Sequence, residues 1–174
     1  EEPAEKNILF DAPNFIATPH LGASTKEAQE NVAIQIAEQM SDFLNSGAVI
    51  NALNFPNLTS EEAPILKPYI NLSYLLGSFL GQVTFEGIKK VNLEMEGKAA
   101  ILKDEPILAN LLVGILETSS EVVNGVNSRD IALSRGINFS TIKHERRCDY
   151  ETLLTITIEH KKGIRTMSGT LIGR

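Results

Sequence analysis

Apolar residues recur every three or four positions along four segments of the chain, which is the pattern of helices with one buried face. The first segment follows Ser24-Thr25-Lys26-Glu27, where the Ser24 hydroxyl and the Glu27 carboxylate suit a reciprocal capping box. Asn45-Ser46-Gly47 then supplies a helix stop. The pattern predicts helices over residues 25–46, 67–85, 106–123 and, in shorter form, 127–135.

Alternating apolar and polar residues predict strands that bury one face. These strands cover residues 90–96, 137–143, 150–159 and 164–171. The last two flank the turn His160-Lys161-Lys162-Gly163, so we expect them to form a β-hairpin. Two shorter runs predict a buried strand at residues 15–18 and an extended segment at residues 49–55.

Prolines divide the chain after the first helix. Pro56, Pro64 and Pro68 punctuate a polar stretch, and we place a domain boundary near Pro56. Residues 57–174 mix helices with strands buried on one face, so we predict an α+β domain in which helices pack on a mainly antiparallel sheet. Residues 1–56 predict a strand followed by a helix.

Composition narrows the classes of function. With 43% hydrophobic and 22% charged residues the chain has a globular composition, and its apolar runs fall short of the roughly 20 residues that cross a membrane. Its net charge of -6 argues against binding nucleic acid or an anionic membrane. Because Cys148 is the single cysteine, we expect no disulfide, no metal site and a cytoplasmic location. The opening Glu1-Glu2-Pro3 lacks a signal peptide and suggests part of a longer protein.

His20 is the histidine best placed for chemistry. It lies between a predicted strand and a capped helix, and the small residues Gly22 and Ala23 follow it, so a ligand can approach the backbone there. A histidine that acts as an acid or base usually has a carboxylate that orients its ring. From residue types alone, a hydrogen-bonded structural histidine is the competing interpretation.

Residues 18–32 (TPHLGASTKEAQENV) resemble the final catalytic motif of the NAD-dependent D-2-hydroxyacid dehydrogenase family, in the form typical of the members that oxidise 3-phospho-D-glycerate. Glu1-Glu2-Pro3 resembles the stretch that carries the acidic partner of the catalytic histidine. Residues 51–56 (NALNFP) resemble the exit from the catalytic region. The three landmarks occur in the family's order.

The resemblance implies a site and a reaction. His20 would act as acid or base on the substrate C2 oxygen as hydride passes to NAD, giving 3-phosphohydroxypyruvate for serine biosynthesis. Glu2 would hold the imidazole, with Glu1 as the competing partner, and the segment His20-Leu21-Gly22-Ala23 would border the nicotinamide. Residues 1–56 would then be the C-terminal remnant of an α/β catalytic region.

The chain also departs from the family. It has no G-x-G-x-x-G loop to hold a pyrophosphate, and the family's substrate-binding arginine lies upstream of Glu1, so we expect the chain alone to be inactive. Residues 57–174 resemble the intervening, allosteric substrate-binding domain of the long members. The helix predicted at 25–46 should normally pack on parts of the catalytic region outside this chain. We therefore expect its apolar stripe to find another partner and the chain to form a homo-oligomer.

A non-catalytic interpretation remains open. The basic cluster at residues 143–147 could accept a phosphate or carboxylate, which would make the chain a regulatory or oligomerisation module that binds a small anionic effector. The competing interpretation of the cluster is a solvated loop. His144 and His160 belong to no partnered motif, so a surface or locally bonded role is expected for each, and no base or resolving cysteine accompanies Cys148 in the sequence.

Overall fold

The computed structural model describes residues 6–18, 21–84, 87–117, 122–145 and 149–172 of the chain. The chain divides into two compact units, Glu1–Asn45 and Ser46–Arg174. The predicted boundary near Pro56 concerns domains of the complete protein and stays a prediction. Among the residues singled out above, the following lie outside the described residues: Glu1, Glu2, Pro19, His20, Arg146, Arg147 and Cys148.

The first unit contains a short 3-10 turn, Ile8–Asp11, and the predicted helix, α1, at Lys26–Ser46. The cap of α1 differs from the prediction by one residue. The Thr25 Oγ1 atom accepts from the Ala28 amide at 3.1 Å, whereas the Ser24 hydroxyl donates to the Leu21 carbonyl at 3.1 Å. Because a capping oxygen reaches the amide three residues ahead, Thr25 is in register with the first turn of a helix that begins at Lys26.

The structure corrects most of the prediction made for the two short extended segments. Residues 15–18, predicted as a buried strand, are irregular and exposed, because no part of the described chain pairs with them and an unpaired strand is not stable in water. Residues 49–55 contribute one isolated bridge, in which Val49 and Leu58 exchange backbone hydrogen bonds of 2.8 and 2.7 Å. Beyond the bridge the chain turns at Asn51, whose φ is 60°.

The first long helix of the second unit is α2, at Glu62–Val83, which starts five residues before the predicted Lys67. A reciprocal capping box sets this start: Thr59 Oγ1 accepts from the Glu62 amide at 3.2 Å, and Glu62 Oε2 accepts from the Thr59 amide at 3.0 Å. Lys103 donates to the same carboxylate at 2.7 Å, and together these donors hold the pKa of Glu62 below its ordinary value. Pro64 fits the first turn, where no helical amide bond is lost.

Two further helices follow the first strand, Ile88–Gly97. Helix α3 occupies Asp104–Leu116, so its predicted start is confirmed within two residues but its predicted extension to Val123 is wrong, since residues 122–124 are irregular. Helix α4 occupies Ser128–Ser134 and confirms the short helix predicted there. Among the described helices, none combines the length and hydrophobicity that a membrane span requires.

The predicted strands are present, and they form one four-stranded sheet with the order β2-β1-β3-β4. The strands are β1 at Ile88–Gly97, β2 at Asn138–His144, β3 at Thr152–His160 and β4 at Gly163–Gly169. β1 pairs in parallel with β2 and antiparallel with β3, and β3 and β4 form the predicted hairpin. A mixed, mainly antiparallel sheet with packed helices confirms the α+β class.

The core lies between one face of this sheet and the helices α2 and α3. The strands contribute alternate residues that are fully buried: Val91, Leu93, Met95, Leu154, Ile156 and Ile158. The helices contribute others, including Leu66, Leu80, Ile107, Leu111, Leu112 and Ile115. The buried Ser73 hydroxyl of α2 lies 3.0 Å from the Ile107 carbonyl of α3, which links the two helices inside the core.

Glycines allow α2 and α3 to approach each other at backbone distance. A Cβ atom built on Gly77 would lie 2.4 Å from the Leu111 carbonyl oxygen, and one built on Gly114 would lie 2.4 Å from the Tyr74 carbonyl oxygen. Real Cβ atoms do not approach backbone oxygens so closely. Any side chain at either position therefore forces the two helices apart.

We expect Gly114→Ala to lower the free energy of unfolding by about 1–3 kcal/mol, because overpacking at a backbone contact outweighs the roughly 1 kcal/mol that alanine gains in helix propensity. Asn71→Ala, on the exposed face of α2, is the matched control and should be neutral or slightly stabilising. Urea denaturation measures both variants. Equal stability of Gly114→Ala and the unchanged protein would show that the helices do not touch at this point.

Candidate functional site

The segment ahead of α1 is the described part of the predicted catalytic motif. Leu21, Gly22 and Ala23 are exposed and lie immediately before the N-terminus of the helix. The Leu21 carbonyl accepts from both the amide and the hydroxyl of Ser24, at 3.3 and 3.1 Å, which fixes a tight turn. Since His20 and Glu2 lie outside the described residues, their roles stay predictions.

Space is open at the backbone of this segment. A Cβ atom built on Gly22 would meet no atom within 4 Å, so nothing in the described chain requires glycine here. A ligand lying against the backbone would supply that requirement, because only glycine leaves the peptide plane uncovered. The segment therefore has the accessibility that a cofactor-binding turn needs.

The outward face of the sheet carries a second group of polar side chains. Thr155 and Ser168 face each other at 2.8 Å, and Thr157 and Thr166 at 3.2 Å, on neighbouring antiparallel strands. The Ser140 hydroxyl of β2 donates to Asn92 of β1 at 2.9 Å. The face opposite the core is thus a hydrogen-bonded polar surface, as expected for a sheet packed on one side only.

At one end of this face the parallel register brings together Glu94, Glu96 and His144. Glu96 lies directly opposite His144, and Glu94 lies two residues earlier on the same side of β1. The His144 Nε2 atom is 3.7 Å from Glu94 Oε2. One ligand atom from each of the three residues lies within 4.8 Å of the other two. Glu96 is buried, with 9% of its surface exposed.

Lys143 precedes His144 in β2 and therefore points to the opposite face. Its ammonium group lies 2.7 Å from Asp104 in the first turn of α3 and donates to the Leu102 carbonyl at 2.8 Å. Partial burial raises the pKa of Asp104, but hydrogen bonding and charge from Lys143 outweigh it, so the net pKa is lowered. The pair fastens the end of β2 to the start of α3.

These contacts bear on the predicted basic cluster at residues 143–147. Lys143 faces Asp104 and His144 faces Glu94, so both of these side chains lie against carboxylates. A site for an anionic effector would need Arg146 and Arg147, which lie outside the described residues. The anion-binding hypothesis stays a prediction. His160 is engaged locally, since its Nδ1 atom accepts from the Lys162 amide at 3.4 Å.

Sequence reasoning missed the grouping of Glu94, Glu96 and His144. The two glutamates belong to β1, the histidine belongs to β2, and helices α3 and α4 lie between those strands. Metal-ligand spacing along the chain cannot show such a group, because its members meet only through strand pairing. Glu94 and Glu96 alternate with apolar residues in β1. That pattern predicts only that the two glutamates share one face of the sheet.

Comparison with known proteins assigns the second unit. The family model described as the D-3-phosphoglycerate dehydrogenase intervening domain matches residues 65–174. The matched range contains all four strands and nearly all of α2. The domain match thus covers the sheet, its core and the outward polar face.

Similarity to curated proteins extends over the first unit as well. D-3-phosphoglycerate dehydrogenase of Bacillus subtilis is 37% identical over 98% of this chain, which covers 33% of that protein. The protein of the same name from Synechocystis is 34% identical over 99% of the chain and 31% of its own length. The human one is 33% identical over 81% of the chain and 27% of its own length. This chain spans about a third of the length of the Bacillus and Synechocystis proteins.

We expect Asp104→Asn to lower the free energy of unfolding by about 0.5–1.5 kcal/mol at pH 7, because Lys143 loses a half-buried partner. The pKa of Asp104 is lower in the folded protein, so the stabilisation is complete above the unfolded pKa of about 3.9 and is lost as pH falls through the folded pKa. Urea denaturation at pH 7 and below pH 3 measures the difference.

Glu105→Gln is the matched control, since it removes a carboxylate from the same first turn of α3 without touching Lys143. The Glu105→Gln variant keeps the Asp104–Lys143 contact, but it loses a comparable interaction between a first-turn carboxylate and the helix dipole. A pH-independent loss in Asp104→Asn, or an equal loss in Glu105→Gln, would contradict the specific role of the Asp104–Lys143 pair.

Proposed function

This chain belongs to the D-3-phosphoglycerate dehydrogenase family, and from that premise we propose that it forms part of an NAD-dependent oxidoreductase. The enzyme oxidises 3-phospho-D-glycerate to 3-phosphohydroxypyruvate in serine biosynthesis. The motif at residues 18–32, which lies within the region aligned to the relatives of that name, carries the proposal.

In the proposed reaction His20 accepts the proton of the substrate C2 hydroxyl. Glu2 accepts a hydrogen bond from the imidazole and raises its proton affinity, with Glu1 as the competing partner. When bound, NAD supplies the acceptor for the hydride that leaves C2. His20, Leu21, Gly22 and Ala23 border the nicotinamide end, and the open space at Gly22 supports that placement.

The two units take different shares of this proposal. Residues 1–56 belong to the catalytic region, whereas the domain matched at residues 65–174 serves regulation in a cytoplasmic enzyme. The chain has no G-x-G-x-x-G loop, and hydride transfer requires a cofactor held firmly against the substrate. We therefore expect no dehydrogenase activity from these 174 residues alone.

The proposed assembly is a homo-oligomer in which α1 contributes an apolar contact. Val32, Ile36, Met40 and Phe43 recur on one side of the helix, and each has between 45% and 60% of its surface exposed. No residue of α1 is buried within the described chain. A stripe of this kind is typical of a surface that packs against another protein surface.

Replacing the proposed acid/base group tests the catalytic assignment. In the complete enzyme, His20→Asn should lower kcat by about 10²–10⁴-fold, the range that general acid/base catalysis contributes, without changing the fold. Steady-state kinetics measure the loss, and circular dichroism checks the fold. His160→Asn is the matched control and should keep normal turnover. Near-normal kcat in a folded His20→Asn enzyme would refute the assignment.

A charge placed in the apolar stripe tests the assembly. Ile36→Lys should shift the chain toward the monomer in sedimentation velocity, because burying an unpaired ammonium group in an apolar contact is unfavourable. Asn31→Lys adds the same charge on the opposite side of α1 and should leave the sedimentation coefficient unchanged. A monodisperse monomer for the unaltered chain across a wide concentration range would contradict self-association through this helix.

A further inference from the structure

The polar group at the end of β1 and β2 combines an imidazole with two carboxylates. One ligand atom from each of Glu94, Glu96 and His144 lies within 4.8 Å of the other two. The ligands come from adjacent strands whose pairing fixes their backbones, so only side-chain torsions remain to be adjusted. From this geometry we infer that the three residues form a binding site for one divalent transition-metal cation, and that Zn²⁺ fits it best.

The distances suit a zinc ion. Zn–N and Zn–O bonds of about 2.0–2.2 Å place neighbouring ligands of a tetrahedral site about 3.3 Å apart. The His144 Nε2 to Glu94 Oε2 distance of 3.7 Å is close to that value. The other ligand atoms lie at most 4.8 Å apart, so about 1.5 Å of contraction completes the site. Glutamate side chains have three rotatable torsions through which to make that adjustment. A cation of this size can therefore be held without moving the strands.

The donor types select the class of metal. Imidazole favours zinc and its first-row neighbours, whereas Mg²⁺ and Ca²⁺ prefer sites made of oxygen ligands. Two carboxylates also neutralise a divalent charge, and the burial of Glu96 shields part of the site from water. Three protein ligands on an outward face leave one position for water, which is the arrangement of an open rather than a closed zinc site.

A chain of hydrogen bonds orients the Glu94 carboxylate. The Asn92 side chain donates from Nδ2 to Glu94 Oε1 at 3.3 Å, while the Ser140 hydroxyl donates to Asn92 Oδ1 at 2.9 Å. With Oε1 held in this way, Oε2 is the atom that faces His144. Groups that orient ligating carboxylates in this manner commonly strengthen metal binding, so Asn92 is a positioning residue.

Calorimetric titration of the metal-free 174-residue chain with ZnCl₂ tests the site. We expect one Zn²⁺ per chain, with Kd raised by more than about 100-fold in His144→Ala and in Glu94→Gln, and by about 10-fold in Asn92→Ala. MgCl₂ at the same concentrations should give no comparable binding. His160→Ala and Glu159→Gln remove the same residue types from the other end of the sheet and should bind as the unaltered chain does.

Two further measurements keep the test independent of folding defects. Zn²⁺ should raise the Tm of the unaltered chain and of His160→Ala by about 5–10 °C at about 100 times Kd, but not that of His144→Ala. In the unaltered chain, the nitrogen NMR signals of the His144 ring should shift on adding Zn²⁺ while those of the His160 ring do not. Absence of binding, binding unaffected by His144→Ala, or a shift confined to His160 would each overturn the proposal.

Discussion

The parallel pairing of β1 with β2 is the constraint on which the second unit depends. It sets Leu93 opposite Thr141 on the buried face and Glu96 opposite His144 on the outward face. Because side chains alternate along a strand, a shift of one residue would turn the apolar set of β1 toward water and the two glutamates toward the core. One register thus determines both the core and the polar group.

The helices that connect these two strands make the parallel pairing possible and cover its apolar face. A parallel pair needs a long crossover connection, which α3 and α4 supply, and α3 packs against α2 at backbone distance through Gly77 and Gly114. The Asp104–Lys143 ion pair fastens the start of α3 to the end of β2. That contact leaves His144, the next residue, on the outward face beside the glutamates.

The sequence predicted the sheet well because alternation in β1, β2 and the hairpin reports one buried face directly. It predicted the start of α2 poorly, since Pro64 and Pro68 suggested a linker while the Thr59–Glu62 capping box placed the helix start earlier. Residues 15–18 have the composition of a strand but no partner in the described chain, and composition alone cannot supply one.

The two candidate sites also differ in how far the sequence predicts them. The motif around His20 is contiguous, so its resemblance to a dehydrogenase family was visible in the sequence, and the accessible segment Leu21–Ala23 is compatible with it. Strand pairing brings together Glu94, Glu96 and His144, although two helices separate the strands in the sequence. No contiguous sequence motif predicts this group. A site whose residues are neighbours in the sequence could be predicted. A site whose residues meet only through strand register could be found only in the folded structure.

Solution NMR of the isotope-labelled chain tests the β1–β2 register most directly. We expect backbone nuclear Overhauser contacts that place Leu93 opposite Thr141 and Glu96 opposite His144, in a parallel arrangement. Contacts displaced by one residue, so that Glu96 centres on Lys143 or Glu145, would contradict it, as would an antiparallel pattern between the two strands.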